Sequence, residues 1–186
     1  MRFVLALLTM LLCTPAMAYD DLVLPSVEFS ATAVHNAGVL QSKETIHYAD
    51  GKLRIDRVNG FTSTILDLKT QSQCLLMANR TYLILPMDNE LFRHYIARSA
   101  EMTGARKIGK QRIEGLETTK YAFGEDGALN AAGTYWLSSA GVMVRRDYYD
   151  GVFGQNTHHL EYLTHIALKK QPADLFVIPA GYKIAK

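Results

Sequence analysis

Residues 49–60 read Ala-Asp-Gly-Lys-Leu-Arg-Ile-Asp-Arg-Val-Asn-Gly and contain a short strand between two tight turns. In this stretch Leu53 and Ile55 alternate with charged residues, which is the pattern of a β-strand with one apolar face. The flanking Asp-Gly and Asn-Gly pairs favour two-residue hairpin turns, because these residues tolerate positive φ angles. The stretch therefore predicts strands that lie antiparallel to their sequence neighbours, as in a meander.

Short strands and turns recur on both sides, with the spacing of about 8–12 residues that is typical of an all-β sandwich or barrel. The predicted strands are residues 27–33, 39–48, 52–57, 61–68, 72–78, 81–85, 105–113, 116–123, 133–138, 142–149 and 157–168. A helix is predicted over 89–103, since apolar residues recur there at helical spacing. The fifth and sixth strands are apolar on both faces, so both sides of the sheet must be covered there.

These elements predict a mainly β fold, a single curved antiparallel half-barrel of about eleven strands with one main helix on its concave face. The C-terminal segment after residue 170 is predicted to be a short turn and an extended tail, because Pro172 and Pro179 interrupt it. Since large apolar side chains are rarely left together in water, Phe176 and Tyr182 are expected to pack back onto the sheet and close one end of it.

The N-terminus has the features of a secretory signal peptide over residues 1–18, with one positive charge, a largely apolar run of ten residues (3–12) and then Ala-Met-Ala at 16–18. A run of ten residues is too short for a transmembrane helix. An uncleaved anchor and lipoprotein processing before Cys13 are the alternatives. We therefore expect a mature chain, residues 19–186, that forms one domain in the periplasm and has no transmembrane segment.

Net charge and cysteine content limit the kinds of partner and cross-link expected for this chain. The formal charge is +2, which becomes +1 when Arg2 leaves with the signal peptide. A value so close to zero predicts no nucleic-acid partner. Of the two cysteines, Cys74 alone would remain in the mature chain, so no intramolecular disulfide is expected. Its apolar surroundings favour a small buried side chain over a reactive thiol.

No pattern for catalysis or cofactor binding is present. The six histidines do not show the helical spacing of a zinc protease, and a nucleophile elbow and a phosphate-binding loop are both lacking. His158 and His159 would point to opposite faces of a strand, so they cannot share a metal as neighbours. The sequence therefore predicts no enzyme, no catalytic residues, no metal site and no cofactor.

One helix would cover only part of so large a sheet. The remainder of the inner face is either filled by side chains or forms a hydrophobic groove for an acyl chain. The candidate groove residues are apolar side chains of the predicted strands and helix: Phe29, Leu53, Ile55, Leu66, Leu83, Leu85, Phe92, Trp136 and Met143. Arg54 and Arg145 are either solvated outer residues or a rim that holds an anionic head group.

Several short motifs resemble a family of periplasmic proteins of unknown function, DUF4412. They are Tyr-Trp-Leu at 135–137, Gly-Val-Met-Val-Arg at 141–145, Gly-Lys-Leu-Arg-Ile-Asp at 51–56 and Tyr-Leu-Ile-Leu-Pro at 82–86. The family ends in Leu-Phe-x-x-Pro-x-Gly-Tyr, which matches residues 175–182. It is similar in architecture to the lipoprotein carriers LolA and LolB, incomplete antiparallel barrels whose concave apolar side is plugged by helices. The chain lacks the Arg-Pro-x-x-Phe-Arg-Trp type of segment that a LolA carrier has.

The resemblance, together with the export signal and the lack of a catalytic set, implies a non-enzymatic periplasmic protein. It would bind or carry a lipid or a lipoprotein acyl chain in its groove. The alternative is a structural or interaction module that binds another envelope protein through a sheet edge or the tail.

Overall fold

The structure is a computed structural model that describes residues 22–58, 60, 62–88, 91–92, 94–98, 104–124, 131–150 and 157–185. The predicted signal peptide, residues 1–18, lies outside the described residues. Within the described ranges, no helix is both long enough and apolar enough to cross a membrane.

The described part of the chain is mainly β. The strands are β1 (Leu22–Val23), β2 (Phe29–Ala37), β3 (Leu40–Ala49), β4 (Lys52–Arg57), β5 (Thr62–Asp67), β6 (Ser72–Met77), β7 (Thr81–Pro86), β8 (Ala97–Arg98), β9 (Arg106–Ile113), β10 (Leu116–Phe123), β11 (Ala131–Ser138), β12 (Met143–Asp150), β13 (Thr157–Leu168) and β14 (Lys183–Ile184). The eleven predicted strands correspond to β2–β7 and β9–β13, so this part of the prediction is confirmed.

Twelve of these strands form one open, curved sheet in the order β14-β7-β6-β5-β4-β3-β2-β13-β12-β11-β10-β9. The sheet consists of two meanders that meet where β2 pairs with β13. All pairs in this sheet are antiparallel except β14 with β7, which is parallel. β1 and β8 form a separate two-stranded antiparallel sheet.

Tight turns set the register of the hairpins. Asp50 and Gly51 have φ angles of 47° and 75° and connect β3 to β4 in the predicted two-residue turn. The register places Leu53 opposite Tyr48, and Ile55 opposite Ile46. Since alternate residues share a face, these side chains lie on one side of the sheet, which we call the inner face. The other side is the outer face.

The core lies on the inner face. Its main cluster contains inward residues of β2–β5 and residues of the segment after β7, of which Phe29, Leu53, Leu66 and Phe92 are completely buried. The chain before β2 also packs against it through Leu22, Leu24 and Val27. A second cluster contains Phe123, Tyr135, Leu137 and Met143 from the other half of the sheet. The inner face is therefore covered largely by segments that belong to this chain.

The predicted helix over 89–103 is wrong. Among the described residues of that range, only Leu91–Phe92 are helical, and Ala97–Arg98 form β8. The N–H of Ile96 donates to the carbonyl of Phe92, at 3.2 Å, so about one turn forms. Tyr95, Ile96 and Ala97 are all buried in succession, which one face of a helix cannot achieve, and pairing with β1 satisfies the extended backbone instead.

The C-terminal segment packs on the outer face of the sheet. Ala173–Phe176 form a 3-10 turn against β4, and Phe176 is buried, as predicted. Arg54 Nη1 donates to the carbonyl of Leu175 at 2.9 Å. The residues after half-buried Tyr182 then add β14 to the edge of β7, so the tail closes this end of the sheet with a parallel strand.

Candidate functional site

The candidate groove residues separate into three locations. The first holds Phe29, Leu53, Ile55, Leu66 and Phe92, which lie in the main core cluster and are at most 2% exposed. Their contacts are with other side chains of this chain. In the described residues, the centre of the inner face is therefore a filled core.

The second location is the end of the inner face at β6 and β7, where apolar side chains stay partly exposed. Leu83 is opposite Leu75, and Leu85 is opposite Gln73. Leu85 is 39% exposed, and Leu75, Met77 and Leu83 are half-buried. We call Leu75, Met77, Leu83 and Leu85 the β6–β7 apolar border. It continues the apolar inner face toward the edge of the sheet.

The third location is the β10–β12 half of the sheet. Met143 lies in the second core cluster. Trp136 lies on the outer face, since it alternates with inward Tyr135, and is 4% exposed. Its ring contacts Lys120 Nζ at 4.6 Å and the Arg145 guanidinium carbon at 4.8 Å from the ring centroid. Trp136 is thus separated from the apolar border by the sheet itself.

The two arginines of the predicted rim also lie on the outer face. Arg54 donates through Nε to Asp56 at 2.9 Å, besides holding the C-terminal turn. Arg145 donates to Asp147 at 3.1 Å and stacks on Trp136. They sit on β4 and β12, which are separated by three strands in the sheet. At about 4.8 Å for each strand-to-strand step, this places them roughly 19 Å apart, too far to hold one head group together.

A group of polar residues on the inner face was not foreseen from the sequence. We call it the inner polar cluster, and its members are His35, Glu44, His94, Tyr95, Arg146 and Glu161. Glu161 on β13 lies between His35 on β2 and Arg146 on β12, its direct partners in register. His94 and Tyr95 come from the turn that follows Leu91–Phe92. The sequence signal is weak: four of these residues occupy strand positions that alternate with inward apolar residues, namely His35, Glu44, Arg146 and Glu161.

Glu161 is at the centre of this cluster. Its Oε1 lies 2.8 Å from His94 Nδ1 and 3.7 Å from His35 Nδ1. Its Oε2 lies 3.9 Å from Arg146 Nη1. On the far side of the His35 ring, Nε2 is 3.8 Å from Glu44 Oε2. The side chain of Glu161 is only 6% exposed, so these neighbours, rather than water, determine its charge state.

The surroundings keep Glu161 ionised. Burial by itself raises the pKa of this carboxyl, but the imidazoles of His35 and His94 and the Arg146 guanidinium outweigh burial and lower the pKa to about 2. Tyr95 is affected in the opposite direction. Burial and the nearby Glu44 carboxylate, which accepts the Tyr95 hydroxyl proton in a hydrogen bond, raise the pKa of Tyr95. The cluster thus presents an anionic carboxylate between two imidazoles.

Solved structures with a similar fold differ strongly from this chain in sequence. An uncharacterised conserved protein from Thermus thermophilus aligns with 86% of this chain and 90% of its own, with a TM-score of 0.55 and 12% identity. MucB aligns with 86% of this chain and 60% of its own, with a TM-score of 0.52 and 16% identity. The complex of Pseudomonas aeruginosa MucA and MucB aligns with 85% of this chain and 58% of its own, at 0.50 and 17%. These likenesses show the fold alone, and this chain spans about three fifths of the MucB structures.

Sequence comparison does not place the chain in a family. No family model matches it, so the resemblance to DUF4412 stays a prediction. The C-phycocyanin beta chain of Rhodella violacea is 27% identical over 113 residues, which are 53% of this chain and 66% of that protein. An outer membrane lipoprotein-sorting protein domain of Vibrio parahaemolyticus aligns with 81% of this chain and 89% of its own, with a TM-score of only 0.34 and 8% identity.

Proposed function

We propose that the protein is a non-enzymatic envelope protein that binds an apolar ligand, the acyl chain of a lipid or lipoprotein. The β6–β7 apolar border is the proposed contact. The observation that carries the proposal is that this end of the inner face keeps apolar side chains partly exposed, whereas the centre is filled. Exposed apolar residues that adjoin each other are typical of ligand or partner sites. The predicted signal peptide supports an envelope location.

The border suits an extended hydrocarbon chain. Leu75 and Leu83 form a direct cross-strand pair, and Met77 and Leu85 extend the apolar surface on either side along the strands. Neighbouring strands lie about 4.8 Å apart, so a chain laid along them could contact both rows of side chains. Methionine adapts to irregular apolar ligands, because its side chain is unbranched.

The test uses delipidated mature protein and a fluorescent fatty acid, with unlabelled fatty acid as competitor. Leu85→Lys should weaken binding about tenfold or more, because a charged head must then be desolvated against the alkyl chain. Ile84→Lys is the matched control, since Ile84 is the next residue, lies on the opposite face and is 62% exposed. Equal affinity of the two variants, or no saturable binding by the parent protein, would refute the proposal.

A second candidate function is the binding of an acidic segment of another envelope protein. The observation behind it is β9, an edge strand in which residues 106–112 are all exposed and four of them are Arg or Lys. Edge strands can accept a partner strand through their free backbone groups. MucB, which shares this fold, is known in complex with MucA. Co-purification of a defined partner by the parent protein, lost with Lys110→Glu and retained in lipid-free conditions, would support this function instead.

A further inference from the structure

We propose that His35, His94 and Glu161 form a binding site for a divalent transition metal ion, for which zinc is the best match. Ligand atoms of the three residues lie within 4.8 Å of one another. Two imidazoles and one carboxylate are a ligand set that zinc uses with a fourth, open position. This inference is independent of the proposed acyl-chain binding.

The separations between ligand atoms fit a small coordination sphere. With metal–ligand bonds of about 2.0–2.1 Å, the ligands of a tetrahedral zinc ion are roughly 3.3 Å apart. His94 Nδ1 and His35 Nδ1 lie 2.8 Å and 3.7 Å from Glu161 Oε1, which brackets this value. Rotations of the His94 side chain, which is 45% exposed, can adjust the remaining separation.

The residues around His35 can hold its ring in the orientation that metal binding requires. If Nδ1 binds the metal, Nε2 must carry the proton, and Glu44 Oε2 lies 3.8 Å away on that side. Nε2 is buried and has no hydrogen-bond partner in the described structure, so a small movement toward Glu44 would satisfy it. Metal-binding histidines usually donate their second ring N–H to a carboxylate. This hydrogen bond fixes the ring orientation and makes the nitrogen that binds the metal more basic. Tyr95 in turn donates a hydrogen bond to Glu44.

Glu161 is oriented by one neighbour at each of its two carboxylate oxygens, Tyr148 and Arg146. The Tyr148 hydroxyl donates a hydrogen bond of 3.4 Å to Oε1, the proposed ligand atom, which keeps a second lone pair for the metal. Arg146 Nη1 faces the other oxygen, Oε2, at 3.9 Å. Oε2 is itself buried without a hydrogen-bond partner among the described residues. Arg146 offsets the charge of the carboxylate, so the site favours a metal that binds imidazole nitrogen strongly over calcium or magnesium, which prefer several oxygens.

A metal here would connect three parts of the fold. His35 and Glu161 belong to β2 and β13, the strands that join the two meanders, and His94 belongs to the turn that covers the inner face. The exposed side of His94 leaves a path for the ion and for a water molecule as fourth ligand. Consecutive members of the three are more than fifty positions apart along the chain, so no local sequence motif indicates the site.

The test measures zinc binding to full-length mature protein after removal of any purification tag and treatment with a chelator. Isothermal titration and metal analysis should give one zinc ion per chain, and cobalt should give the visible absorption of a tetrahedral complex. A hundredfold excess of zinc over its dissociation constant should raise the Tm by about 5–10 °C.

Two variants make the test specific. His94→Ala should weaken zinc binding at least tenfold and abolish the rise in Tm. His158→Ala is the matched control, because His158 is 46% exposed and lies 2.8 Å from the Asp147 carboxylate, much like His94 and Glu161. It should bind zinc like the parent. Circular dichroism verifies that both variants are folded. No binding at tens of micromolar zinc, or unchanged binding by His94→Ala, would overturn the proposal.

Discussion

Removal of the Phe176 side chain should destabilise the protein measurably, although it lies only ten residues from the C-terminus. Phe176 is 8% exposed and sits at the end of the 3-10 turn that packs on β4. A Phe→Ala change in a core costs about 3–5 kcal/mol. Phe176 packs on the outer face under a single turn that can partly collapse, so we expect about 2–3 kcal/mol of lost unfolding free energy.

For a chain of this size, each kcal/mol lowers the Tm by about 2–4 °C, which gives a decrease of about 4–12 °C for Phe176→Ala. The assay is thermal unfolding followed by circular dichroism, together with urea unfolding to obtain the free energy. Val177→Ala is the control, because Val177 is the next residue and is 53% exposed, so its Tm should change by no more than about 2 °C. If Phe176→Ala and Val177→Ala have the same Tm, Phe176 does not anchor the tail, and the prediction from its burial is wrong.

Two further outcomes follow from local packing. Gly133→Ala should lower the unfolding free energy by about 1–3 kcal/mol, because the new Cβ would lie 2.3 Å from the Asp147 carbonyl oxygen and 2.6 Å from Tyr148 Cβ. Urea unfolding measures this, and Gly109→Ala, whose Cβ would meet nothing within 4 Å, should show no comparable loss. Cys74 should react slowly with iodoacetamide at neutral pH in the folded protein, because burial raises the pKa of its thiol. Mass spectrometry would detect it, and equal rates in folded and urea-unfolded protein would contradict the expectation.

The sequence correctly predicts those features of the fold that depend on residues close together along the chain. The Asp50-Gly51 turn and the alternation through Leu53 and Ile55 are local features, and the structure places them as expected. The helix prediction failed because β1, which pairs with Ala97–Arg98, is 74–76 residues away along the chain. A spacing pattern alone cannot reveal a strand partner at that distance.

In the candidate site, too, local patterns were predictable from the sequence and long-range contacts were not. Alternation placed Leu83 and Leu85 on one face. It could not show that the segments before β2 and after β7, the latter through Phe92, cover the inner face and bury Phe29. Trp136 follows inward Tyr135 in a strand that is apolar on both faces, so the pattern does not tell which side it occupies. The inner polar cluster depends on side chains from β2, β3, β12, β13 and the turn after Leu91–Phe92, and only the assembled sheet brings them together.

The order of the strands also bears on how the chain folds. The two meanders consist of contacts between sequence neighbours, which form fast. In contrast, the paired residues of β2 and β13 are 122 (Ala37 and His159) to 139 (Phe29 and Leu168) positions apart along the chain. During synthesis β2 is available long before β13 exists. For that period the first meander carries an unpaired strand at its edge, rich in small and apolar side chains. An unpaired edge of this kind invites pairing with another chain, so the growing protein should be most prone to aggregation before β13 is complete.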